Sequence, residues 1–419
     1  MNNKAKQTIA FIADVKYWAF DNIAQYLKTI LEDDYIVCIF YTEEYPNVES
    51  FLNKLLERDD IDFIHFFYRA YLKQIIEYFA NNKMPRTKFL SLPITTSIPE
   101  HLFIETEAQI SSYQATLQFS DYYYTISRNL YNIYSKIKTY PKPYKEVIFD
   151  NILRISNLPN FKNNDKLVIA WIGNSSWGKF QVQSNHDSKG FHTIIKPTLL
   201  KLEREINITS YIVDKKKKQR TKEEVFEILH KTDILLIAAN TDGTPLPLIE
   251  AMSMGCAVIT TYNGIAPEIL PDMQQEFIIQ PNLESFSNAI KKLNLDRALL
   301  TQLKHANYKA FNAIFLNHEL FKKKWITLIN ATMKKAQGKN RIIEKENIIN
   351  NIKLRSIDKV IFMINHSPKL KSIVKYLLNF KIIQMLLYSL ILPLLQRARL
   401  NCNSSNNIDK SNSRNESKN

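Results

Sequence analysis

Short apolar runs alternate with longer amphipathic segments through the first 160 residues of the chain. The β-branched and aromatic runs that predict strands are residues 9–12, 35–41, 61–66, 88–92 and 121–125. Between several of them lie segments of helical period, such as 19–31 and 71–79. This alternation is typical of βαβ units, which build parallel sheets. Residues 1–160 therefore predict an α/β domain.

A polar stretch, residues 156–165, interrupts the pattern, which then begins again. The apolar runs that predict further strands are residues 166–172, 209–213, 233–238 and 257–260. The segments that predict the helices between and after them are residues 191–203, 222–229 and 247–254. We therefore expect a second α/β domain over residues 161–335, with the boundary near residue 160.

The character of the chain changes after residue 335. Residues 336–358 are charged and linker-like, and 376–395 are rich in Leu and Ile. The apolar part of this second segment is shorter than the roughly 20 residues that span a bilayer, and basic residues bracket it. We predict a linker and amphipathic helical extension over 336–400, lying on an anionic membrane surface or packed on the protein itself. The Asn/Ser/Lys-rich tail, 401–419, predicts disorder.

Charge and cysteine content narrow the picture only slightly. A formal net charge of +15 over 419 residues suits nucleic acid, an anionic membrane or phosphorylated ligands. The densest basic run, 214–222, has no interleaved aromatic residues and follows a strand, which favours a solvated loop and no nucleic-acid partner. Three scattered cysteines favour a reducing compartment. Because the polar start also lacks a secretory signal, we expect a cytoplasmic protein.

Residues 232–270 form the most informative stretch. Its apolar start predicts a buried strand, and in open parallel sheets ligands bind at the carboxyl ends of strands. Pro245 and Pro247 restrict the backbone before a helix whose free amide N–H groups suit a diphosphate. Glu250, one turn into that helix, is placed to accept hydrogen bonds from ribose hydroxyls. Asp242, in the preceding loop, is placed to accept from sugar hydroxyls beyond the phosphates.

This stretch resembles the donor-binding signature of the family 4 retaining glycosyltransferases of group 1 type. The positions in register are Asp242, Gly243, Pro245, Leu246, Glu250, Ala251, Met252, Gly255 and Val258. Thr244 lies within the same loop, and Gly264 and Glu268 extend the match into a loop that faces the nucleotide in the family. One departure is Asp242, where the family usually has Glu.

The resemblance implies a fold and a reaction. It implies two Rossmann-like doubly wound domains facing across a cleft, the GT-B architecture, in an enzyme that transfers a glycosyl group with retention of configuration. Nucleotide sugar would be a substrate, with no cofactor and no bound metal. In the family a Lys-Gly pair, matched by Lys189-Gly190 at a helix start, contacts the donor phosphates and stabilises the leaving group.

Further donor contacts are expected upstream. The strand over 166–172 ends in Gly173 and Asn174, which places flexible backbone where the cleft begins. In the family an Arg accompanies the lysine, and none lies between Gly173 and Lys189. Lys179 is the candidate replacement, with a solvated lysine as the competing interpretation.

The first domain is expected to hold the acceptor. Trp18 and Asp21 lie in a segment that resembles the first strand-to-helix turn of related transferases, and His65 lies near a strand end. A core tryptophan, a helix-start aspartate and a packed histidine explain the same residues equally well. Asp242 and Lys189 are the predicted catalytic residues.

We therefore predict transfer of a sugar from a nucleotide-diphosphate sugar to a glycan or lipid-linked acceptor, in surface polysaccharide or lipopolysaccharide synthesis. Attachment to the inner face of the cell membrane is part of this hypothesis. A nucleotide-sugar epimerase of the same fold, and a non-catalytic nucleotide-sugar-binding protein, remain as alternatives.

Overall fold

Two parallel five-stranded sheets, each flanked by helices, form the computed structural model. It describes residues 5–151, 158–176, 187–239 and 242–352. The strands of the first sheet are β1 (Gln7–Ala13), β2 (Tyr35–Tyr41), β3 (Ile61–Phe66), β4 (Ile94–Ile98) and β5 (Tyr122–Thr125). Its helices are α1 (Ala19–Leu31), α2 (Val48–Leu56), α3 (Arg69–Asn81), α4 (Thr87–Ser91), α5 (Glu107–Phe119) and α6 (Arg128–Lys136), with a 3₁₀ turn at Thr42–Glu44.

The second sheet repeats the arrangement of the first. Its strands are β6 (Leu167–Gly173), β7 (Ile208–Asp214), β8 (Ile234–Ile237), β9 (Ala257–Thr261) and β10 (Ile278–Ile279). Its helical segments are a π-turn (Phe191–Ile195) that continues into α7 (Lys196–Leu202), then α8 (Lys222–His230), α9 (Leu246–Ser253), α10 (Ala266–Ile269), a 3₁₀ segment (Asp272–Phe277), α11 (Leu283–Leu295) and α12 (Arg297–Phe315).

Both sheets have the same strand order. The first runs β2-β1-β3-β4-β5 and the second β10-β9-β8-β6-β7, so each places its own first strand between its second and third. From that first strand the chain moves to one edge of the sheet to form the second strand. It then crosses back, and the remaining strands are added on the other side of the first. The gap between the two neighbouring strand ends is where doubly wound sheets bind ligands. The predicted fold class, two doubly wound α/β domains, is confirmed.

One predicted strand is wrong. Residues 88–91 lie in helix α4, and the strand follows Pro93 as β4. Its sequence, ITTSI, looks too polar for a buried strand, yet all five residues are buried. The Thr96 and Ser97 hydroxyls donate to the carbonyl oxygens of Phe66 and Phe67 at 2.9 and 2.8 Å. These hydrogen bonds offset the cost of burying polar groups. A search for apolar runs therefore misses this buried strand.

Two helices that follow the second sheet in the chain pack on the first. Helix α13 (His318–Ala336) places Trp325 against the rings of Phe11 and Tyr124, with centroids 5.7 and 5.6 Å apart. Helix α14 (Lys339–Asn350) lies within the stretch 336–358 that the sequence suggested was a linker. Its Lys345 is fully buried and donates to Asp121 at 2.8 Å.

No helix in the described ranges is long and apolar enough to cross a membrane. The predicted amphipathic segment, 376–395, and the tail after it lie outside the described residues.

Candidate active site

The carboxyl edges of the two sheets face each other, and three loop pairs join them. The loop after β1 meets the loop after β7, because Lys215 Nζ lies 4.2 Å from the centre of the Trp18 ring. The segment after β4 meets the loop after β8 through a backbone bridge between Glu100 and Asp242. The segment after β5 meets the loop after β9 through Glu268. The chemistry-bearing strand ends of both domains therefore converge on one region.

Lys189 and Asp242 form an ion pair at this junction. Lys189 Nζ donates to both Asp242 carboxylate oxygens at 2.6 Å, and the two side chains are only 21% and 14% exposed. The pair lies at the switch point of the second sheet, where Asp242 follows β8 and Lys189 follows β6. The two residues predicted to be catalytic are thus in direct contact.

The backbone around Lys189 is shaped by its neighbours. Asp187 accepts hydrogen bonds from the amides of Phe191, His192 and Thr193 at 2.6–3.1 Å, and so caps the start of the next helix. Gly190 has φ +63, and a Cβ there would lie 2.5 Å from the Ala238 carbonyl oxygen. Only glycine permits this approach, which directs Lys189 toward the end of β8.

The loop that carries Asp242 is held on two sides. The Ile265 amide donates to the Gly243 carbonyl at 2.8 Å, and a Cβ on Gly264 would lie 1.9 Å from that carbonyl oxygen. On the other side, a Cβ on Gly243 would lie 1.7 Å from the carbonyl oxygen of Pro99 in the first domain. Backbone packing without side chains therefore fixes this loop.

Charged groups extend the Lys189–Asp242 pair into the first domain. Burial raises the pKa of Glu100, the nearby Asp242 charge raises it further, and the Arg69 guanidinium opposes both. Arg69 Nη1 donates to Glu100 Oε1 at 2.6 Å, and this arginine is 1% exposed. Sequence reasoning missed Glu100 because the strand before it was assigned to residues 88–92. A correct β4 would have placed it at a strand end.

Glu250 lies one turn into α9 and is 8% exposed. Burial raises its pKa to about 7, and the positive charge of Lys222 at the start of α8 opposes that shift. Pro245 and Leu246 are buried at the start of α9, whereas Thr244 is half-buried beside them. The predicted donor loop and helix start are therefore contiguous in space.

A third predicted feature is the end of β6. Gly173 and Asn174 are half-buried there, and the Gly173 carbonyl accepts from the Lys215 amide at 2.9 Å. Asn174 Oδ1 accepts from the Ser176 amide at 3.0 Å, so its side chain shapes the turn. Lys179 lies outside the described residues.

Trp18, in the loop after β1, contacts Lys215, which directly follows β7. Burial lowers the pKa of Lys215 to about 8, and the Asp14 carboxylate opposes this shift. Lys215 belongs to the basic run 214–222 that was predicted to be a solvated loop. The structure corrects this for Lys215, because the residue directly follows β7 and therefore lies at the ligand-binding edge.

Glu268 lies where the loop after β9 contacts the first domain. Its two carboxylate oxygens accept from the Arg128 and Asn129 amides, at 2.9 and 3.1 Å, at the start of helix α6 in the first domain. A groove of about 250 Å³ lies beside it. Three cationic side chains line that groove: Arg128, Lys145 and Lys324.

Two predicted acceptor residues are inside the first domain. His65 is fully buried, with Nδ1 2.9 Å from the Thr95 hydroxyl, so it packs in the interior of the first domain. Asp21 is 5% exposed, and its oxygens accept from the Tyr17 amide at 2.7 Å and the Tyr41 hydroxyl at 2.8 Å. Asp21 therefore organises the start of α1, and only Trp18 of the three lies at the junction.

Asp150 is a buried acid that the sequence did not reveal. It lies where the chain leaves the first domain, is 6% exposed, and burial raises its pKa to about 7. The Thr244 hydroxyl lies close enough to lower that pKa, but the contact does not have hydrogen-bond geometry. No local pattern around residue 150 distinguishes this aspartate from a surface residue.

Metal-ligand geometry is not present in the described ranges. No group of three or more His, Cys, Asp or Glu side chains there is arranged to hold an ion. Positive charge at the junction comes from Lys189, Lys215 and Lys222.

Comparison with known proteins agrees with this geometry. Residues 212–310 match the family model described as glycosyl transferases group 1, a segment shorter than half the chain. No curated protein sequence matches.

Solved structures show the same fold at low sequence identity. A sucrose-phosphate synthase from Thermosynechococcus elongatus is 13% identical with TM-score 0.57, covering 78% of this chain and 98% of its own. The catalytic domain of starch synthase IV from Arabidopsis thaliana, bound to ADP and acarbose, is 9% identical with TM-score 0.54 and coverages of 79% and 100%. HepE of Anabaena, in complex with UDP and glucose, is 12% identical with TM-score 0.51 and coverages of 77% and 99%. The chain therefore shares the fold of these solved structures, and its residues 212–310 resemble the glycosyl transferases of group 1.

Proposed function

We propose that this protein transfers a sugar, with retention of configuration, from a nucleotide-diphosphate sugar to a glycan or lipid-linked acceptor. The observation that carries the proposal is the Lys189–Asp242 pair, with 2.6 Å contacts, at the switch point of the second sheet. The family match over residues 212–310 includes Asp242 and Glu250. A cation, two acids and a helix start within one strand-end region are what a charged, hydroxyl-rich donor requires.

Each partner in the pair has a separate role toward the donor. A diphosphate is a stronger competitor for Lys189 than a single carboxylate, because it brings more negative charge and more acceptor oxygens. When phosphate replaces Asp242 at the ammonium group, the Asp242 carboxylate becomes free to accept from sugar hydroxyls. The ion pair thus keeps both groups compensated until the donor arrives.

The chemical step is a displacement at the sugar's anomeric carbon. The bond from that carbon to the diphosphate oxygen breaks, and the electron pair leaves with the diphosphate. Lys189 stabilises the growing negative charge, which is worth about 3 kcal/mol for a well-placed donor. The acceptor hydroxyl oxygen forms the new bond, and its proton passes to the departing diphosphate.

The proposed acceptor is anionic or lipid-linked, as in surface polysaccharide or lipopolysaccharide synthesis. Three cationic side chains line the groove beside α6, against the two acids Glu146 and Glu268. This excess of positive charge favours an acceptor that carries phosphate or carboxylate groups. The net charge of +15 favours peripheral attachment at the inner face of the cell membrane. Loss of residues 370–419 is expected to release the protein from membranes, and unchanged attachment would oppose this part of the proposal.

The decisive experiment is a lysine substitution with a matched control. Lys189→Met removes the charge but keeps most of the aliphatic side chain, and we expect release of nucleoside diphosphate in the presence of acceptor to fall about 100-fold or more. Lys201→Met, at an exposed position of α7, is expected to leave the rate unchanged. Equal rates for the two variants would overturn the proposal.

Two assays separate the alternatives from a transferase: incubation with the nucleotide sugar alone, and incubation with the nucleotide sugar and an acceptor. An epimerase turns over nucleotide sugar without any acceptor, and a transferase hydrolyses it slowly at most. A non-catalytic binding protein would bind the donor yet give no product with any acceptor tested.

A further inference from the structure

Asn263 lies in the loop after β9, and its buried side-chain amide makes no hydrogen bond within the described ranges. It is 3% exposed, and neither Nδ2 nor Oδ1 has a hydrogen-bond partner within the described ranges. Leaving a buried polar group unpaired is unfavourable, and this residue has two such atoms. A buried amide with both atoms unpaired calls for a partner outside the fold, such as a ligand or a bound water.

The turn itself does not explain the side chain. An asparagine before a glycine often bonds to its own backbone, but here only the Asn263 carbonyl takes part, accepting from the Ala266 amide at 3.1 Å. Gly264 supplies the positive φ of +51 that the turn requires. Within the described ranges the fold therefore makes no hydrogen bond to the Asn263 amide.

The position of the loop indicates which ligand would use the amide. Ile265 donates to the Gly243 carbonyl, and Gly264 lies against the carbonyl oxygens of Asp242 and Gly243. The two residues that follow Asn263 therefore lie against the loop that holds Asp242. The Thr244 hydroxyl in that loop is also unpaired within the described ranges.

The chemistry of the amide narrows the ligand further. Nδ2 donates and Oδ1 accepts, so a single ligand group satisfies both atoms only if it can accept and donate. A diphosphate only accepts. A sugar hydroxyl donates and accepts at once.

We propose that Asn263 binds hydroxyl groups of the transferred sugar and helps to select it, an inference that rests on the proposed glycosyltransferase function. Asn263 holds the sugar from the side of the β9 loop, and Asp242 holds it from the β8 loop. The unpaired state in the free protein is the cost of a site prepared for a polar ligand.

The test uses Asn263→Leu, which keeps the side-chain shape and removes both polar atoms. UDP-glucose, ADP-glucose and GDP-mannose are titrated by calorimetry into the full-length protein, and the tightest is compared with its own nucleoside diphosphate. We expect the variant to bind the nucleotide sugar about 10-fold or more weakly, the loss of one to two hydrogen bonds. Affinity for the nucleoside diphosphate is expected to stay unchanged.

Stability gives an independent readout with a matched control. Asn307 is also fully buried, but its Nδ2 donates to the Cys256 carbonyl and to Gln274 Oε1 at 2.9 and 2.8 Å. Asn307→Leu is therefore expected to lower the thermal midpoint, whereas Asn263→Leu leaves it unchanged or raises it.

Three results would overturn the inference. They are equal losses for nucleotide sugar and nucleoside diphosphate, no loss for either, and a fall in the midpoint of Asn263→Leu that matches that of Asn307→Leu. Failure of the wild-type protein to bind any of these nucleotides would instead overturn the proposed function itself.

Discussion

Burial gives individual acids at the domain junction unusual proton affinities. Glu250 and Asp150 both have pKa values raised to about 7 by removal from water, and at Glu250 the positive charge of Lys222 opposes this shift. Each group therefore loses its proton near neutral pH. Above that pH it is a charged carboxylate that can accept hydrogen bonds from ligand hydroxyls.

Glu250→Gln is expected to flatten the dependence of stability on pH. Burial raises the pKa of Glu250 in the folded protein to about 7, above its ordinary value of 4.5, so the folded state holds an extra proton between these two values. Wild-type stability therefore falls as pH rises from about 5 to 7, by up to about 3 kcal/mol from this group. Urea unfolding at several pH values measures the slope. The exposed Glu227→Gln on α8 is the control, and parallel curves for all three proteins would contradict the assignment.

At the scale of elements, strand ends and the loops after them determine the site. The β8 and β9 loops lie against each other through backbone atoms, and the β4 segment covers them from the first domain. Sequence patterning located β8, α9 and β9 correctly, because their apolar periods are local. It misplaced β4, since the hydroxyl groups of that strand are satisfied by neighbouring strands.

Gly264→Ala is expected to destabilise the protein more than Gly338→Ala. Both glycines have positive φ, +51 and +112, but a Cβ at Gly264 would meet the Gly243 carbonyl oxygen at 1.9 Å and one at Gly338 meets nothing within 4 Å. The backbone strain alone costs about 1–3 kcal/mol, and the clash at Gly264 adds to it and displaces the loop that carries Asp242. Chemical unfolding and donor titration measure both effects. If both variants lose the same free energy of unfolding, the close contact between the loops after β8 and β9 does not contribute to stability.

At the scale of the whole molecule, helices α13 and α14 follow the second sheet in the chain and pack on the first domain. Asp121, at the start of β5, accepts from Lys345 at 2.8 Å and from Arg341 Nε at 2.7 Å. The aspartate and Lys345 are both fully buried. Local composition suggested a linker here, because a charged helix looks the same in sequence whether its charges face water or a buried partner.

Lys345→Met is expected to lower the free energy of unfolding by about 3 kcal/mol, since it leaves part of the Asp121 charge uncompensated in the core. Lys339→Met, exposed on the same helix, is expected to have no measurable effect. Equilibrium unfolding in guanidinium measures both. A variant as stable as the control would mean that Arg341 alone compensates Asp121.

The sequence by itself determined what depends on near neighbours in the chain. The alternation of strands and helices, the two α/β domains and the contiguous donor motif from Asp242 to Glu250 could all be predicted, because period and spacing act over a few residues. The family resemblance gave Lys189 and Asp242 separate roles toward the donor, and their direct ion pair was visible only in the structure.

Only the tertiary structure decided which side chains meet across long separations. It buried His65, turned Glu268 toward helix α6, brought Lys215 to Trp18 and left the Asn263 amide unpaired. Each of these outcomes depends on residues tens to hundreds of positions away, whose contacts exist only after both sheets have formed and their carboxyl edges face each other.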